Sequence, residues 1–512
     1  MAPAAPVLAR ADGPGPHVPP TFDPKLIDYA EREIRREGNF GFTAIVNTGW
    51  TPPDPHLAVG PNHIGVMTNG AIAFFRKDGT LVFQDEIEDS FGFWGEVGAT
   101  GFVFDPEILY DELSGRFFAM AAEAYAPGSK SYALVAVSDD SDPNGTWYKY
   151  RFDTSGYAGN LLDSPNIAVD ANVVYITGDG FGHGSNYPVY TFDKASLLAG
   201  QPPAIQKSLT LTTSTQSAGI PPVSFDNPPA LYMMEHSENS NANTIRLIAL
   251  LDPLGTPHFQ TYTLNLPGGA QYNPPGDPSQ QGTTVKPETF DARFWSVAYR
   301  NGSLWGTHHI NSNPVKARWY EIAMNGWPVS GNLPQLVQWG QLDLGSGIHT
   351  FFSSIAVNER GDAALCAARS SSSEYISMIT TYRMRNDPPN TMRPPVMHKV
   401  STGPYTSARW GDYSAVQPEP GSNTTFWAHH EYAEGNSWRT WVARIDLPGL
   451  LGDMNCDGSV DGFDIQPFVL ALTDPAGYAN QYPDCDINNA DVNEDGAIDG
   501  FDVQPFVELL TG

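Results

Sequence analysis

The stretch DPHLAVGPNHIGVMTNGAIAFFRKDGTLVFQ, residues 54–84, holds four short apolar runs separated by turns rich in glycine, asparagine and proline. Runs of this length, rich in Val, Ile and Phe and bounded by such turns, are typical of β-strands joined by hairpins. An aspartate stands just before the first run. The stretch therefore predicts one antiparallel sheet of about four strands, entered through an acidic residue.

The same arrangement recurs along the chain every 51–65 residues, always with Asp or Ser just before an apolar strand. The further units begin at Asp105, Asp163, Asp226, Asp291, Ser353 and Asp412. A period of this length with about four strands per unit is typical of the blades of a β-propeller. Seven units predict a mainly β protein with a seven-bladed β-propeller over residues 40–448. A pair of β-sandwiches is the alternative.

The last unit holds only three predicted strands before Pro448. The apolar run GFTAIV, at Gly41–Val46, precedes the first unit and is predicted to supply the missing strand, which would close the ring. Residues 1–39 are predicted to be a Pro-rich segment followed by a short charged helix from Leu26 to Glu37.

The chain of 512 residues carries 57 acidic and 28 basic residues, a formal net charge of −29. Such a surface is a poor partner for nucleic acid. No apolar segment reaches 18 residues, so no membrane-spanning helix is expected. The N-terminus lacks the apolar core of a signal peptide. We expect an extracellular or cell-surface protein from which the signal peptide has been removed.

The last 61 residues contain one phrase twice, DMNCDGSVDGFDIQPFVLALTD from Asp453 and DVNEDGAIDGFDVQPFVELLTG from Asp491, with 14 of 22 positions identical. Oxygen ligands recur at loop positions 1, 3, 5, 7, 9 and 12, where position 7 contributes its backbone carbonyl. This is the EF-hand spacing for calcium, and it predicts two Ca²⁺ ions. The predicted ligands are Asp453, Asn455, Asp457, Ser459, Asp461 and Asp464, then Asp491, Asn493, Asp495, Ala497, Asp499 and Asp502.

Each loop is followed by an apolar stripe at helical spacing, and we expect the two helices to bury these stripes against each other. The stripes are Ile465, Phe468, Val469 and Leu472, then Val503, Phe506, Val507 and Leu510. A disulfide between Cys456 and Cys485 would stabilise so small a domain. Cys366, in the apolar run AALCAA, is expected to be a buried thiol.

The duplicated loop and helix over residues 452–512 resemble a type I dockerin domain. The resemblance implies two calcium ions, secretion, and a cohesin-like or cell-surface anchoring partner for an enzyme that acts on polysaccharide. Cellulosomal dockerins usually carry a Ser/Thr-type pair at loop positions 10 and 11, whereas this chain has Gly462–Phe463 and Gly500–Phe501. The chain therefore differs from these dockerins at loop positions 10 and 11, which recognise the cohesin.

Residues 50–446 resemble a set of uncharacterised secreted bacterial β-propeller proteins. The shared phrases are DPHLAVGPNHI from Asp54, VFDPEILYDELSGRFF from Val103, SDPNGTWYKYRFD from Ser141 and RWGDYSAV from Arg409. This resemblance implies architecture and export, and no particular chemistry.

In a propeller, the loops that enter the innermost strands and the loops that follow the second strands share one face. The entry positions predicted for that face are Asp54, His56, Asp105, Glu107, Asp163, Asp226, Asp291, Arg293, Arg409 and Asp412. The second-strand ends are Asn69, Glu123, Asp179, His236, His308, His309, Arg369, His429, His430 and Glu431. One histidine of each adjacent pair is expected to face the funnel, because neighbouring side chains on a strand alternate in direction.

Three functions fit these residues. Histidine with arginine suits a polysaccharide lyase that abstracts a proton beside a uronate. Carboxylate pairs such as Glu123 with Glu431 suit a glycoside hydrolase. A face that only binds glycan or protein is the third. The candidate catalytic residues are His309, His430, Glu123, Glu431, Arg409 and Asp412.

Overall fold

The computed structural model describes most of the chain with side chains. The described residues are 7–10, 34–35, 40–126, 130–158, 161–180, 186–212, 219–236, 243–311, 313–457, 459–483, 485–493 and 495–511; of 7–10 and 34–35 only the backbone is considered. Contacts divide the chain into two compact units. One comprises 1–357, 361–420 and 426–445, and the other comprises 358–360, 421–425 and 446–512.

The first unit is a seven-bladed β-propeller, as the repeat predicts. Three strands precede the first blade: β1 (Val7–Arg10), β2 (Ile34–Arg35) and β3 (Gly41–Val46). Blade 1 holds β4 (His56–Val59), β5 (His63–Thr68), β6 (Ala71–Arg76) and β7 (Leu81–Glu86). Blade 2 holds β8 (Phe102–Asp111), β9 (Arg116–Ala126), β10 (Lys130–Ser138) and β11 (Trp147–Asp153). Blade 3 holds β12 (Leu162–Val169), β13 (Val173–Gly180), β14 (Asn186–Asp193) and β15 (Gln206–Thr212).

The other blades follow in chain order. After β16 (Val223–Ser224), blade 4 holds β17 (Leu231–His236), β18 (Thr244–Leu251) and β19 (His258–Asn265). Blade 5 holds β20 (Ser296–Arg300), β21 (Ser303–Ile310), β22 (Lys316–Ala323) and β23 (Gln335–Gln341). Blade 6 holds β24 (His349–Val357), β25 (Ala363–Ser371), β26 (Glu374–Arg383) and β27 (Val396–Lys399). Blade 7 holds β28 (Ala415–Pro418), β29 (Thr425–Glu434) and β30 (Ser437–Asp446).

The predicted ring closure is confirmed. Strand β3 lies antiparallel to β30 as the fourth strand of blade 7, with Gly41 opposite Ala443 and Thr43 opposite Trp441. Phe42 on β3 is fully buried in an aromatic and aliphatic core cluster. The N-terminal part of the chain therefore completes the sheet that the C-terminal part of the propeller begins.

Two strands extend the predicted sheets in the N-terminal segment. Strand β1 pairs with β11 and β2 pairs with β3. Ile34–Arg35 is thus extended, so the helix predicted from Leu26 to Glu37 is wrong at these two residues. The rest of that predicted helix lies outside the described residues, as does most of the Pro-rich segment.

Blade 4 departs from the repeat. The strand predicted after Asp226 is not innermost: β17 pairs with β18, and on its other side it has only an isolated bridge between Ile220 and Met234. Asp226 instead accepts a hydrogen bond from the backbone N–H of Asn301, in the turn between β20 and β21. It therefore lies at the opposite end of the blades from Asp291. The prediction that placed it on the entry face is wrong, because the run PPALYM mimics an entry strand.

Few helices occur. Among the described residues of the propeller unit they are α1 (Ser155–Ala158), α2 (Lys194–Leu198) and one 3₁₀ turn, Gly95–Val97. The second unit holds α3 (Ile465–Thr473), α4 (Pro475–Gln481), a 3₁₀ turn (Ile487–Ala490) and α5 (Val503–Thr511). Among the described residues, no helix has the length and apolar character needed to cross a membrane.

The core of the second unit is small. The rings of Phe468 and Phe506 stack with their centroids 4.0 Å apart, and the Cys456–Cys485 disulfide is present as predicted. Only these two phenylalanines are fully buried among the eight stripe residues. Ile465, Val469, Val503 and Val507 are 43–50% exposed. The expectation that both stripes are buried against each other is therefore wrong for four positions, because the two helices pack on the core through Phe468, Ala471, Phe506 and Leu510 instead.

Candidate functional site

One cavity of about 570 Å³ opens on the propeller at the end of the blades where the inner strands are entered. Polar side chains form much of its lining: Asp54, Asn69, Asp105, Asp163, Asp179, Arg293, Arg409 and Asp412. All eight belong to the face predicted from the repeat. Aromatic side chains form other parts of its wall: Trp50, Phe102, Phe104, Phe290 and Trp295. The cavity thus combines carboxyl groups, guanidinium groups and flat apolar rings.

The entry residues reach the cavity because the chain kinks where the inner strands begin. Asp54 and Asp105 have left-handed backbone conformations, with φ of +50° and +49°, and Ser164 and Phe352 hold the corresponding conformation in blades 3 and 6. In β8, β12 and β24 the pairing register shifts at this point. A bulge re-aims side chains, and a left-handed non-glycine residue is unfavourable unless its surroundings enforce it.

Hydrogen bonds link neighbouring blades through these carboxyl groups. The backbone N–H of Asp412 donates to Asp54 Oδ1 at 2.7 Å, and Asn69 Nδ2 donates to Asp54 Oδ2 at 2.7 Å. Asn69 Oδ1 in turn accepts from the backbone N–H of Asp105, and Asp105 Oδ2 accepts from that of Ser164. Blades 7, 1, 2 and 3 are therefore joined by one network around the cavity.

Burial and mutual repulsion keep protons on part of this cluster. Burial raises the pKa of Asp54 to about 6, although its hydrogen-bond donors and Arg409 oppose the shift. Burial, together with the charges of Asp54, Asp163 and Asp412, raises the pKa of Asp105 well above its ordinary value. Burial and the charge of Asp54 do the same to the pKa of Asp412. Several carboxyl groups of the cavity therefore hold their protons more tightly than isolated aspartates do.

Asp163 differs from its neighbours. Burial raises its pKa, but the positive charges of Arg293 and Arg409 oppose the shift. The two arginines favour the charged form of Asp163, whereas neighbouring carboxyl groups disfavour the charged form of Asp105. One site can supply both an acid and a base when the surroundings of two neighbouring carboxyl groups give them different pKa values.

Both arginines of the cavity are already paired. Arg409 Nη2 lies 2.7 Å from Asp412 Oδ2. Arg293 makes a bidentate pair with Asp291, with its Nη2 2.8 Å from Oδ2, and its Nη1 lies 3.6 Å from Asp179. Each guanidinium is therefore engaged with a carboxyl group, although Arg409 Nε has no hydrogen-bond partner.

The histidines do not line the cavity. His309 and His430 are fully buried, and so are His308 and His429, so the expectation that one of each pair faces the funnel is wrong. His309 bonds to the carbonyl of Thr289 and to the N–H of Phe352, and His430 bonds to the carbonyls of Phe352 and Glu431. Burial lowers the pKa of His309 and of His430 to about 4. The alternation argument failed because both faces of these strands are covered by neighbouring blades.

Glu123 and Glu431 are also fully buried and are not brought together as a catalytic pair. Glu123 forms a bidentate ion pair with Arg151 and accepts hydrogen bonds from the N–H groups of Thr100 and Gly101. Glu431 accepts from the N–H of Gly411 through Oε2, while its Oε1 has no hydrogen-bond partner. Glu123 therefore fixes the chain ahead of β8, and Glu431 lies beneath the carboxyl cluster.

The remaining face residues have other surroundings. His56 and Glu107 line a narrower cavity of about 30 Å³ among the inner strands. His236 is buried, with a pKa that burial lowers to about 4. Arg369 pairs with Glu374 on the adjacent strand of blade 6. These three sets do not join the carboxyl cluster of the larger cavity.

Glu431 makes stability depend on pH. Burial raises its pKa well above the ordinary value, and the charges of Asp54 and Asp412 add to the shift. A carboxyl group with a raised folded-state pKa stabilises the fold at low pH and loses that contribution as pH rises. Glu431→Gln keeps the acceptor for Gly411 and removes the titration. We expect it to raise the Tm at about pH 8, with the difference vanishing at about pH 5.

Thermal unfolding of both proteins across this range checks the prediction. An equal difference in Tm between wild type and Glu431→Gln at every pH would contradict it.

The sequence did not single out the aromatic wall, although a signal was present. Phe104 directly precedes Asp105, Phe102 lies three residues before it, and Phe290 directly precedes Asp291. Aromatic residues next to repeat-marking aspartates can equally be core residues. Their exposure, 44% for Phe102 and 43% for Phe290, distinguishes them from core residues and emerges only when the blades are assembled.

The two predicted calcium loops have matching internal contacts. Asp464 accepts hydrogen bonds from the N–H groups of Met454, Asn455 and Asp461, and Asp502 accepts from those of Asn493 and Asp499. Both carboxyl groups are fully buried and point into their loops. As placed in the described residues, no group of three His, Cys, Asp or Glu side chains is arranged to hold a metal. The oxygen-rich donor set nevertheless fits calcium chemistry, and calcium binding stays a prediction.

Comparison with known proteins gives only remote likenesses. No family model and no curated protein matches the chain. Similar solved structures include the WD40 domain of SCAP from fission yeast, with 9% identity and a TM-score of 0.34, covering 81% of this chain and 89% of that one. They also include an exo-β-1,3-galactanase from Phanerochaete chrysosporium, with 11% identity and a TM-score of 0.31 over 79% of this chain and 99% of that one.

A third similar structure is a subtype N11 neuraminidase-like protein of flat-faced bat origin, with 10% identity and a TM-score of 0.31, covering 69% of this chain and 82% of that one. Similarity this low carries no information about activity. What the chain does must be argued from its own cavity.

Proposed function

We propose that the protein hydrolyses an extracellular polysaccharide in the propeller cavity. The observation that carries the proposal is the meeting of two aspartates, Asp105 beside other carboxyl groups and Asp163 beside two arginines, in one solvent-open cavity with aromatic walls. Cleavage of a glycosidic bond needs one carboxylic acid to protonate the leaving oxygen and one carboxylate to act as base or nucleophile. Asp105 takes the first role and Asp163 the second.

The charge of the cavity favours a neutral glycan over an acidic one. Five aspartates line it against two arginines, and both arginines are paired with carboxylates. A uronate chain would bring further negative charge to this cluster of carboxyl groups. The burial of His309 and His430 argues against a lyase with a histidine base, because substrate cannot reach either ring.

Binding without cleavage is the second candidate. The observation that favours it is how fully Asp54 is engaged: its two oxygens accept from Asn69 and from the backbone of Asp412, and Asp105 also hydrogen-bonds with it. A cluster held in this way can serve to stiffen the entry loops around a glycan. Product formation distinguishes the two candidates.

The C-terminal unit adds a calcium-dependent module to the proposal. The two loops would hold one Ca²⁺ each through the predicted ligands, and the ions would neutralise the crowded carboxylates. The disulfide supports an oxidising, extracellular location. An anchoring partner remains part of the proposal, with Phe463 and Phe501 at the positions where dockerins read their cohesin.

Asp105→Asn tests the catalytic assignment. Asparagine matches the shape of a protonated carboxyl group and keeps a donor for Asp54, so the fold is expected to remain intact. Loss of the acid should lower hydrolysis about 100-fold or more. Release of reducing ends from neutral polysaccharides measures the effect, and unsaturated uronate absorbance on acidic polysaccharides tests the lyase reaction.

Asp226→Asn is the matched control, because Asp226 lies at the opposite end of the blades. Asp163→Asn should lower activity as strongly as Asp105→Asn. Unchanged hydrolysis in both cavity variants would refute the assignment. Binding by the wild type with no product of either kind would establish the second candidate.

A further inference from the structure

The cavity carries two aromatic surfaces that come from different blades. Phe102, at the start of β8 in blade 2, packs on Trp50 with ring centroids 4.6 Å apart and on Phe104 at 5.0 Å. Phe290, ahead of β20 in blade 5, lies 6.3 Å from Trp295. Blades 2 and 5 are three steps apart in a ring of seven. Their entry loops therefore lie on nearly opposite sides of the propeller axis, with the carboxyl cluster between them.

Phe290 is held in an unfavourable state in two respects. Its side chain is 43% exposed, which leaves apolar ring surface in water. Its backbone has φ of +55°, a left-handed conformation that is disfavoured for a residue with a bulky side chain. Phe352 has a similar φ of +45°, but its ring is fully buried and packing accounts for it. Burial gives no such account for Phe290.

Neighbouring groups fix the direction of the Phe290 ring. The guanidinium of Arg409 lies 5.1 Å from its centroid, and Arg409 is itself paired with Asp412. Arg409 thus contacts the Phe290 ring through a cation–π interaction and the carboxyl cluster through its pair with Asp412. Phe290 therefore combines a strained backbone with an exposed ring at the edge of a cavity. This combination indicates a residue that contacts a ligand.

We infer that Phe102 and Phe290 are two stacking platforms that bind successive sugar rings of one unbranched, neutral glycan chain lying across the carboxyl cluster. The inference rests on the proposed function and deepens it. The C–H face of a pyranose is apolar and flat, so it covers an exposed aromatic ring while its hydroxyl groups stay available for hydrogen bonds. Because the platforms lie on opposite sides of the axis, a single sugar cannot contact both.

Phe290→Asn is the sharpest test, because asparagine tolerates the left-handed conformation and relieves the strain. We expect the Tm of this variant to be no lower than that of the wild type, while affinity for a neutral oligosaccharide falls about tenfold or more. Phe102→Ala should produce a similar loss of affinity from the other side. Phe352→Asn should instead lower the Tm, since its ring is part of the core.

Calorimetry with neutral oligosaccharides of increasing length, prepared from xylan, β-1,3-glucan and β-1,4-mannan, gives the decision on the full chain. The affinity of the wild type should increase with oligosaccharide length and then level off. The affinity of each platform variant should not increase with length. Phe91→Ala, at an exposed phenylalanine outside the cavity lining, is the control and should bind like the wild type.

The outcomes separate this inference from the proposed function. Wild-type binding that neither platform variant weakens would overturn the platforms and leave the hydrolysis proposal standing. Platform-dependent binding without reducing-end release would uphold the platforms and overturn hydrolysis. A monosaccharide that binds as tightly as the longer chains, or no binding to any of the three glycans, would overturn the inference.

Discussion

Removal of residues 1–46 is expected to destabilise the whole propeller, by roughly 5 kcal/mol or more, because the deletion takes away the closing strand of blade 7. Strand β3 pairs with β30, and Thr440 Oγ1 both accepts from the N–H of Ile45 and donates to its carbonyl. Phe42 and Ile45 are fully buried. Burial of each such side chain contributes about 1.5–3 kcal/mol.

A matched truncation separates ring closure from the loss of a terminal segment. Deletion of residues 1–39 removes β1 and β2 but keeps β3, so it should lower the Tm much less. Phe42→Ala in the full chain should cost about 3–5 kcal/mol by opening a cavity in the same core. Equal unfolding temperatures for the two truncations, measured by circular dichroism, would show that β3 does not close the ring.

The period of the repeat made the propeller predictable, and the failure at blade 4 shows its limit. Strand spacing and entry aspartates are local signals, and they hold for Asp54, Asp105, Asp163 and Asp412. Around Asp226 the same signal arises from a turn followed by a second strand. Only the pairing of β17 with β18 tells the two cases apart, and pairing is a long-range property that no local pattern contains.

The candidate site was predictable in outline and not in detail. Topology alone put the carboxyl groups and both arginines on one face, because entry loops of all blades meet there. It did not show which of them water reaches. His309 and Glu123 belong to the same strand ends as Asn69 and Asp179, yet they are enclosed by neighbouring blades. Burial depends on blade packing and separates structural residues from those available to a ligand.

Removal of calcium is expected to have the second large effect, the loss of ordered structure in residues 452–512. The tail from Leu451 contains 13 acidic residues and no basic one. Nine of the carboxylates lie in the two loops, eight of them at predicted ligand positions. In the absence of a cation these carboxylates repel each other. The core around the stacked Phe468 and Phe506 is too small to offset this repulsion. Ion binding is therefore expected to appear as folding free energy.

Titration of the full chain with Ca²⁺ should give a stoichiometry near two and an increase in helical signal from α3 and α5. Asp453→Ala and Asp491→Ala should each remove about one ion, since position 1 is a direct ligand in both loops. Asp474→Ala, at an aspartate that caps α4 outside the loops, is the control and should leave the stoichiometry unchanged.

Reduction of the Cys456–Cys485 disulfide should weaken calcium binding without changing the number of ions. The bond joins residues 29 positions apart and restricts the unfolded chain, so reducing it enlarges the ensemble that calcium must order. Because Cys456 lies inside the first loop, reduction should weaken calcium binding at that loop more than at the second. Asp491→Ala leaves only the first loop and Asp453→Ala only the second, so reduction of each variant measures the effect on one loop. A stoichiometry near zero, or an unchanged helical signal on adding calcium, would refute the calcium module and leave the propeller cavity as the sole proposed site.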